Sequence, residues 1–267
     1  MTRHEVPDLL RRVRNLALPA SPPPSQFLRH ADVIDPIAEA YTAIYQARYG
    51  FPVQAEALER FLEFDLGLPY RWKDIAEPEG VRILAQHDLT SGAINPNARY
   101  VDFFDANPHF LASSLLHELG HIVLQHGELY SDDSAPPLPG FDLPCPFLHR
   151  AGWLPWEISE DLLKRAVKVA LIDERVRAFL KPERFEPDWV YAQAQRFAAA
   201  FMIPRSCLQE HLKEPWDFTG WDPVYELARR FATSPSMMRY RLERLGCITV
   251  HGTDIAPGMR VRQRPLL

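Results

Sequence analysis

Cysteine is scarce in this chain. Its 267 residues hold three, Cys145, Cys207 and Cys247. They are too far apart for a CxxC pair and odd in number, so neither a disulfide framework nor a thiolate zinc cluster is expected. All three are read as reduced thiols. Cys145, between Pro144 and Pro146, is the one to watch as a metal neighbour, and an inert loop thiol is the plainer reading. Also missing is any apolar run long enough to cross a bilayer. The opening residues, Thr2-Arg-His-Glu-Val-Pro-Asp8, lack the basic-then-apolar layout of a secretion signal, so a cytoplasmic protein with no membrane partner is expected. Excess positive charge is absent too. A net charge of −5 and a pI near 6.1 exclude a nucleic-acid footprint spread over the whole protein, while leaving room for local basic patches.

What is present is the composition of an ordinary globular protein, 46% hydrophobic and 24% charged, with length enough for one domain and an appendage or two small domains. Proline is plentiful at 25 residues. Much of it falls between Pro19 and Pro24 and between Pro136 and Pro146, which marks loops or linkers. Residues 1–29 thus read as an N-terminal arm, with the short basic amphipathic piece Leu9-Leu-Arg-Arg-Val-Arg-Asn-Leu16, followed by a tether. Residues 30–205 form the main body, with an insertion at 127–187. Residues 206–267 form a C-terminal helical subdomain and tail.

Apolar residues at helical spacing predict a helix over Ala31 to Tyr49, stopped by Gly50, and a second over Ala55 to Leu66, ending at Gly67. Between Val81 and Phe104 the period changes to alternation, so Val81 to His87 and Tyr100 to Phe104 are expected as strands. Ser91-Gly92 and Asn95-Pro-Asn97 are expected as turns.

The organising stretch is Leu111-Ala-Ser-Ser-Leu-Leu-His-Glu-Leu-Gly-His-Ile-Val-Leu-Gln-His126. Phe110, Leu111, Leu115, Leu116, Leu119, Ile122 and Val123 have helical spacing after a cap-like Asn107-Pro108. On a helix, His117 and His121 lie one turn apart on one face and can converge on one ion, with Glu118 beside it to hold a water. That is the HExxH geometry of a zinc peptidase. The bland alternative is a core helix whose histidines are satisfied by neighbours. His126 does not fit a metzincin third ligand, because that pattern needs Gly at 124 and His at 127, and this chain has Leu124 and Gly127. It is read as a helix C-terminal residue favoured by the dipole.

Residues 127 to 155 read as a long irregular stretch, serving as a lid or as a variable insertion of no role. A helix from about Ile158 to Leu180 follows, and another from Pro187 to Pro204.

With these parts in place the chain resembles the ImmA/IrrE family of bacterial zinc metallopeptidases. The likeness rests on Ser91-Gly-Ala93, on His117 to His126, on Gln193-Ala-Gln-Arg-Phe-Ala-Ala-Ala-Phe-Met-Ile-Pro204, and on Asp222 to Ser236 with Arg241-Leu-Glu-Arg-Leu-Gly246. It covers about residues 31 to 250 apart from the insertion. It implies an α+β fold: a zincin-like metallopeptidase domain with a small antiparallel sheet, followed by a helix-turn-helix-like subdomain. It also implies Zn2+ as cofactor and a protein substrate, often a helix-turn-helix repressor of a mobile element or stress regulon. In that scheme His117 and His121 are metal ligands and Glu118 is the catalytic base. An edge strand near the metal pairs with the extended substrate.

The sequence departs from the family where a third ligand is expected. The Glu that resemblance places three residues before Ala194 is Tyr191 here, and the supporting Asn or Asp four further on is Gln195. Catalytic zinc takes three protein ligands and keeps one open position. Tyr191 as phenolate, Glu157 and Glu174 all stay open as replacements. Against them stand a site-lining Tyr191 able to donate to a developing oxyanion, a Glu157 that serves the helix dipole, and a Glu174 ion-paired to a neighbouring arginine. Two classes of function follow: a zinc-dependent endopeptidase, or a pseudo-peptidase that retains the fold as a protein-binding regulatory module.

Near the C-terminus two helices are expected, Asp222 to Phe231 and one capped by Ser234 with Pro235 at its first position, running to Gly246. Arg239, Arg241, Arg244, Arg260, Arg262 and Arg264 make this end basic. DNA binding is the less favoured reading there. A subdomain packed on the peptidase is preferred, because no base-reading residues stand out.

Overall fold

The computed structural model describes residues 31–77, 82–127, 147–151, 188–213, 215–252 and 254–258. Helix α1 spans Ala31–Tyr49 and buries Ile34, Ile37, Ala38, Tyr41, Ile44 and Tyr45, the stripe its sequence period predicts. Helix α2, Ala55–Arg60, runs on into one π turn over Phe61–Asp65. Leu58 of the helix and Phe61 and Leu62 of its continuation lie fully in the core.

Strand β1, Ile83–Asp88, pairs antiparallel with β2, Ile94–Pro96. The turn between them is held by the Asp88 carboxylate, whose Oδ1 accepts from the Thr90 and Ser91 amides at 2.9 and 3.2 Å. It closes at Gly92, whose φ of +69° is costly for a residue with a Cβ. Asn95 and Asn97, expected in a turn, fall elsewhere: Asn95 lies within β2. Asn97 follows β2, and its side chain accepts from Arg99 N at 3.1 Å and donates to Ile83 O at 2.8 Å.

Tyr100 to Phe104 is helical, not a strand. A three-residue 3-10 turn, Ala98–Tyr100, leads into α3, Val101–Ala106. The buried positions are Tyr100, Phe103 and Phe104, while Val101 is exposed. That is an i, i+3, i+4 pattern, and it overrides the apparent alternation.

Helix α4, Pro108–Val123, carries the HExxH residues, with Pro108 at its first position. The stretch expected to be irregular after it contains a third strand, β3, Phe147–Ala151, which pairs antiparallel with β1 on the side opposite β2. Helix α5, Asp188–Met202, crosses α4 closely, and α1 packs on α5. Short α6, Arg205–His211, precedes α7, Asp222–Arg230, and α8, Pro235–Arg244. Ser234 caps α8 by accepting from the Met237 amide at 3.2 Å, as expected. Beyond Gly246 an antiparallel hairpin of β4, Ile248–His251, and β5, Asp254–Pro257, was not foreseen.

Among the described residues the fold is therefore α+β, with two small antiparallel sheets. Buried residues of α1, α2, α4, α5, α7 and α8 belong to one contiguous core. Among the described residues no helix is long and apolar enough to cross a membrane. The N-terminal arm, Cys145, Glu157, Glu174, the helix expected from Ile158 and the arginines at 260, 262 and 264 lie outside the described residues.

Candidate metal centre

Every residue of α4 from Leu111 to His121 is buried, because the helix is covered on one side by the sheet and on another by α5. Gly120 permits the α5 crossing. A Cβ there would stand 3.1 Å from Ala194 Cα and 3.2 Å from both Ala194 O and Phe197 Cβ. The glycine of HELGH thus serves packing, apart from any chemistry around it, because a Cβ there would make its neighbours on α5 give by a few tenths of an ångström.

The three sequence-predicted residues on α4 come together as their spacing requires. His117, Glu118 and His121 are each fully buried. The two imidazole centroids are 4.7 Å apart, with ring planes at 78°. Tyr191, in the first turn of α5, lays its ring against His117, centroids 4.8 Å apart. The position expected to carry a carboxylate is therefore beside the histidines and holds a phenol. Gln195 lies one turn further along α5, with its Oε1 buried and unpartnered among the described residues.

Two residues that sequence reasoning did not place in the site belong to it. His126 is fully buried, so its reading as a terminal residue serving the helix dipole is corrected. After Gln125, whose φ is +60°, the chain turns the His126 ring back onto α4. Its Nδ1 is 2.9 Å from His121 Nδ1, and its Nε2 is 3.0 Å from Gln193 Oε1 on α5. The one available signal was the recurrence of His three residues after Val123 in a segment already rich in imidazole.

His87, on β1, is also buried, and burial pushes its pKa down to about 4 against the opposing pull of Asp88. It is a neutral imidazole in a strand that packs on α4. Desolvation also lowers the pKa of His109, in the first turn of α4.

As donors for zinc, the described residues fit in kind and fall short in number. Two imidazoles stand on one turn, yet among the described residues no group of three or more His, Cys, Asp or Glu side chains converges. A catalytic zinc takes three protein donors.

The α7–turn–α8 arrangement is present, but Arg241 is not part of a basic surface. It is 1% exposed and ion-paired to Asp35 and Glu39 of α1. Arg239 pairs with Glu243, and Arg244 lies over the Tyr240 ring.

No family model matches the chain, and no curated protein matches it. Among solved structures it is similar to a Mycobacterium tuberculosis transcriptional regulator at 13% identity, with a TM-score of 0.42. The likeness covers 91% of this chain and 52% of that one, so this chain spans about half the length of that protein. A likeness at this level assigns no role to any residue.

Proposed function

We propose that this chain is a zinc-dependent endopeptidase of the zincin type, acting on a protein substrate. The observation that carries the proposal is the single buried turn of α4 that sets two imidazoles against each other and carries the buried carboxylate of Glu118 on the same turn. His117 and His121 would hold the metal, which when bound would supply a Lewis acid and an acidified water. Glu118 would take the proton from the attacking water and deliver it to the leaving amine. Tyr191, whose ring lies beside His117, would serve in this reading as a donor to oxygen as charge develops there.

An extended substrate would need a free strand edge near the metal. The outer edge of β2 is covered by residues 69–73: Ile94 N donates to Pro69 O at 2.9 Å, and Arg71 N and Lys73 N donate to Ile94 O and Pro96 O at 3.3 and 3.1 Å. Among the described residues, the edge of this three-stranded sheet left for pairing is that of β3. The resemblance to ImmA/IrrE peptidases supports a helix-turn-helix repressor as the class of substrate, and a stress or mobile-element response as its setting.

Purified protein is expected to hold close to one zinc per chain and to cleave its substrate, with Glu118→Gln lowering turnover at least 100-fold while keeping the metal. Zinc below a few tenths per chain, together with an unaltered Glu118→Gln variant, would sink the proposal.

The pseudo-peptidase reading is favoured by one observation, the Tyr191 ring against His117 where a carboxylate donor is expected. It predicts weak zinc binding by the native chain and a gain of at least tenfold in zinc affinity for Tyr191→Glu. Tight binding by the native chain removes its motive.

A further inference from the structure

We propose that Gln193 and His126 are positioning residues that fix the tautomer of His121, holding its proton at Nδ1 and its lone pair at Nε2. The inference follows from three side chains in series. The amide oxygen of Gln193 accepts hydrogen bonds and cannot donate. Standing 3.0 Å from His126 Nε2, it requires the hydrogen to be on that nitrogen. Full burial of His126 disfavours its charged form, and a neutral imidazole with hydrogen on Nε2 has its lone pair on Nδ1. His121 Nδ1 lies 2.9 Å away and must then supply the hydrogen for that contact. His121 is left with an unprotonated Nε2, the atom through which it would bind a metal.

The series lies inside the protein: Gln193 is 6% exposed, and both imidazoles are fully buried. It joins three separate pieces of chain, the end of α4, the turn after it and the first turns of α5. Orienting partners on the far nitrogen of a metal-binding histidine set both its tautomer and its basicity. Here an imidazole fills that place, itself oriented by an amide. The importance of Nε2 rests on the metallopeptidase reading, while the proton arrangement does not.

The test uses the full-length, metal-free protein with 15N-labelled histidine near neutral pH, and reads tautomers from two-bond proton–nitrogen correlations. His121 is expected as the Nδ1-protonated form and His126 as the Nε2-protonated form. Gln193→Leu removes the acceptor and is expected to leave His121 in a mixture of tautomers, with zinc affinity lowered about 10- to 100-fold. Gln193→Glu keeps an acceptor oxygen at that place and is expected to restore the wild-type pattern. An Nε2-protonated His121 in the wild-type protein, the outcome if the amide group of Gln193 faces His126, overturns the proposal. So does a Gln193→Leu protein whose His121 tautomer is unchanged. Wild-type tautomers as assigned support it even if zinc fails to bind, in which case the metallopeptidase reading alone is lost.

Discussion

A buried neutral histidine records its environment in the pH dependence of stability. His87 on β1 has its pKa pushed down to about 4 by burial, whereas in the unfolded chain it titrates near 6.5. Between those values the unfolded state binds a proton that the folded state does not. Stability therefore rises with pH across that window and is lost as pH falls from about 6.5 toward 4. The loss attributable to His87 is roughly 2 to 3 kcal/mol between pH 7.5 and pH 4.5. Urea unfolding of the wild type and of His87→Gln at both pH values measures it. The variant is expected to start less stable at pH 7.5 and to lose less on acidification. Equal losses in the two proteins would exclude His87 as the cause.

At the scale of elements, the α4–α5 crossing positions the site, and Gly120 sets its closeness. In Gly120→Ala the new methyl meets the Ala194 backbone at 3.1 Å, and backbone cannot swing aside as a flexible side chain would. The expected cost is about 1–3 kcal/mol of stability despite the better helix propensity of alanine. Thermal unfolding gives the cost. A weakened Gln193–His126 bond, seen in the His126 ring signals, would report α5 moving outward. A variant as stable as wild type would mean that the crossing relaxes freely.

Helices α1, α4, α7 and α8 were legible because each repeats buried residues at the helical period over two turns or more, and each has a local start or stop, such as Ser234 or Gly50. Of the short elements, α2 and β1 fall where spacing puts them, and others do not. Tyr100 to Phe104 offers five residues, over which alternation and helical spacing share most positions, and only the burial of both Phe103 and Phe104 decides between them. Strand β3 follows Pro144 and Pro146, which read as loop, and its pairing with β1 depends on chain some sixty residues away. In the site, i, i+4 spacing was sufficient to bring His117 and His121 together. Spacing carried no sign of the His126–Gln193 bond, which depends on how the turn after α4 meets α5.

Across the whole molecule, one ion-pair network ties α1 to α5, which crosses the HExxH helix, and to α8. Asp35 of α1 accepts from Arg196 of α5 at 2.7 Å and from Arg241 of α8 at 2.5 Å. Glu39 accepts from Arg241 at 2.9 Å and from the Arg205 amide at 2.8 Å. The third direction of the Arg241 guanidinium is used on Ile203 O at 3.0 Å. Two arginines and two carboxylates thus balance within a largely buried cluster, and a forked guanidinium meets three acceptors that a lysine ammonium, on its flexible stem, does not match. This is why Arg241, which in sequence looks like one of a row of basic surface residues, is absent from any surface that a nucleic acid could touch. Arg241→Met fills a similar volume but leaves Asp35 and Glu39 short of a cation, so it is expected to cost about 3–5 kcal/mol. Arg239→Ala, on an exposed i, i+4 pair, is expected to cost less than about 1 kcal/mol. Urea unfolding of both variants, with Glu39→Gln added to Arg241→Met, separates the terms. If the network couples the helices, the double variant is less destabilised than the two single losses summed, because the second change relieves a carboxylate that the first left unpaired. Strict additivity would make Arg241 a packing residue whose charge is incidental.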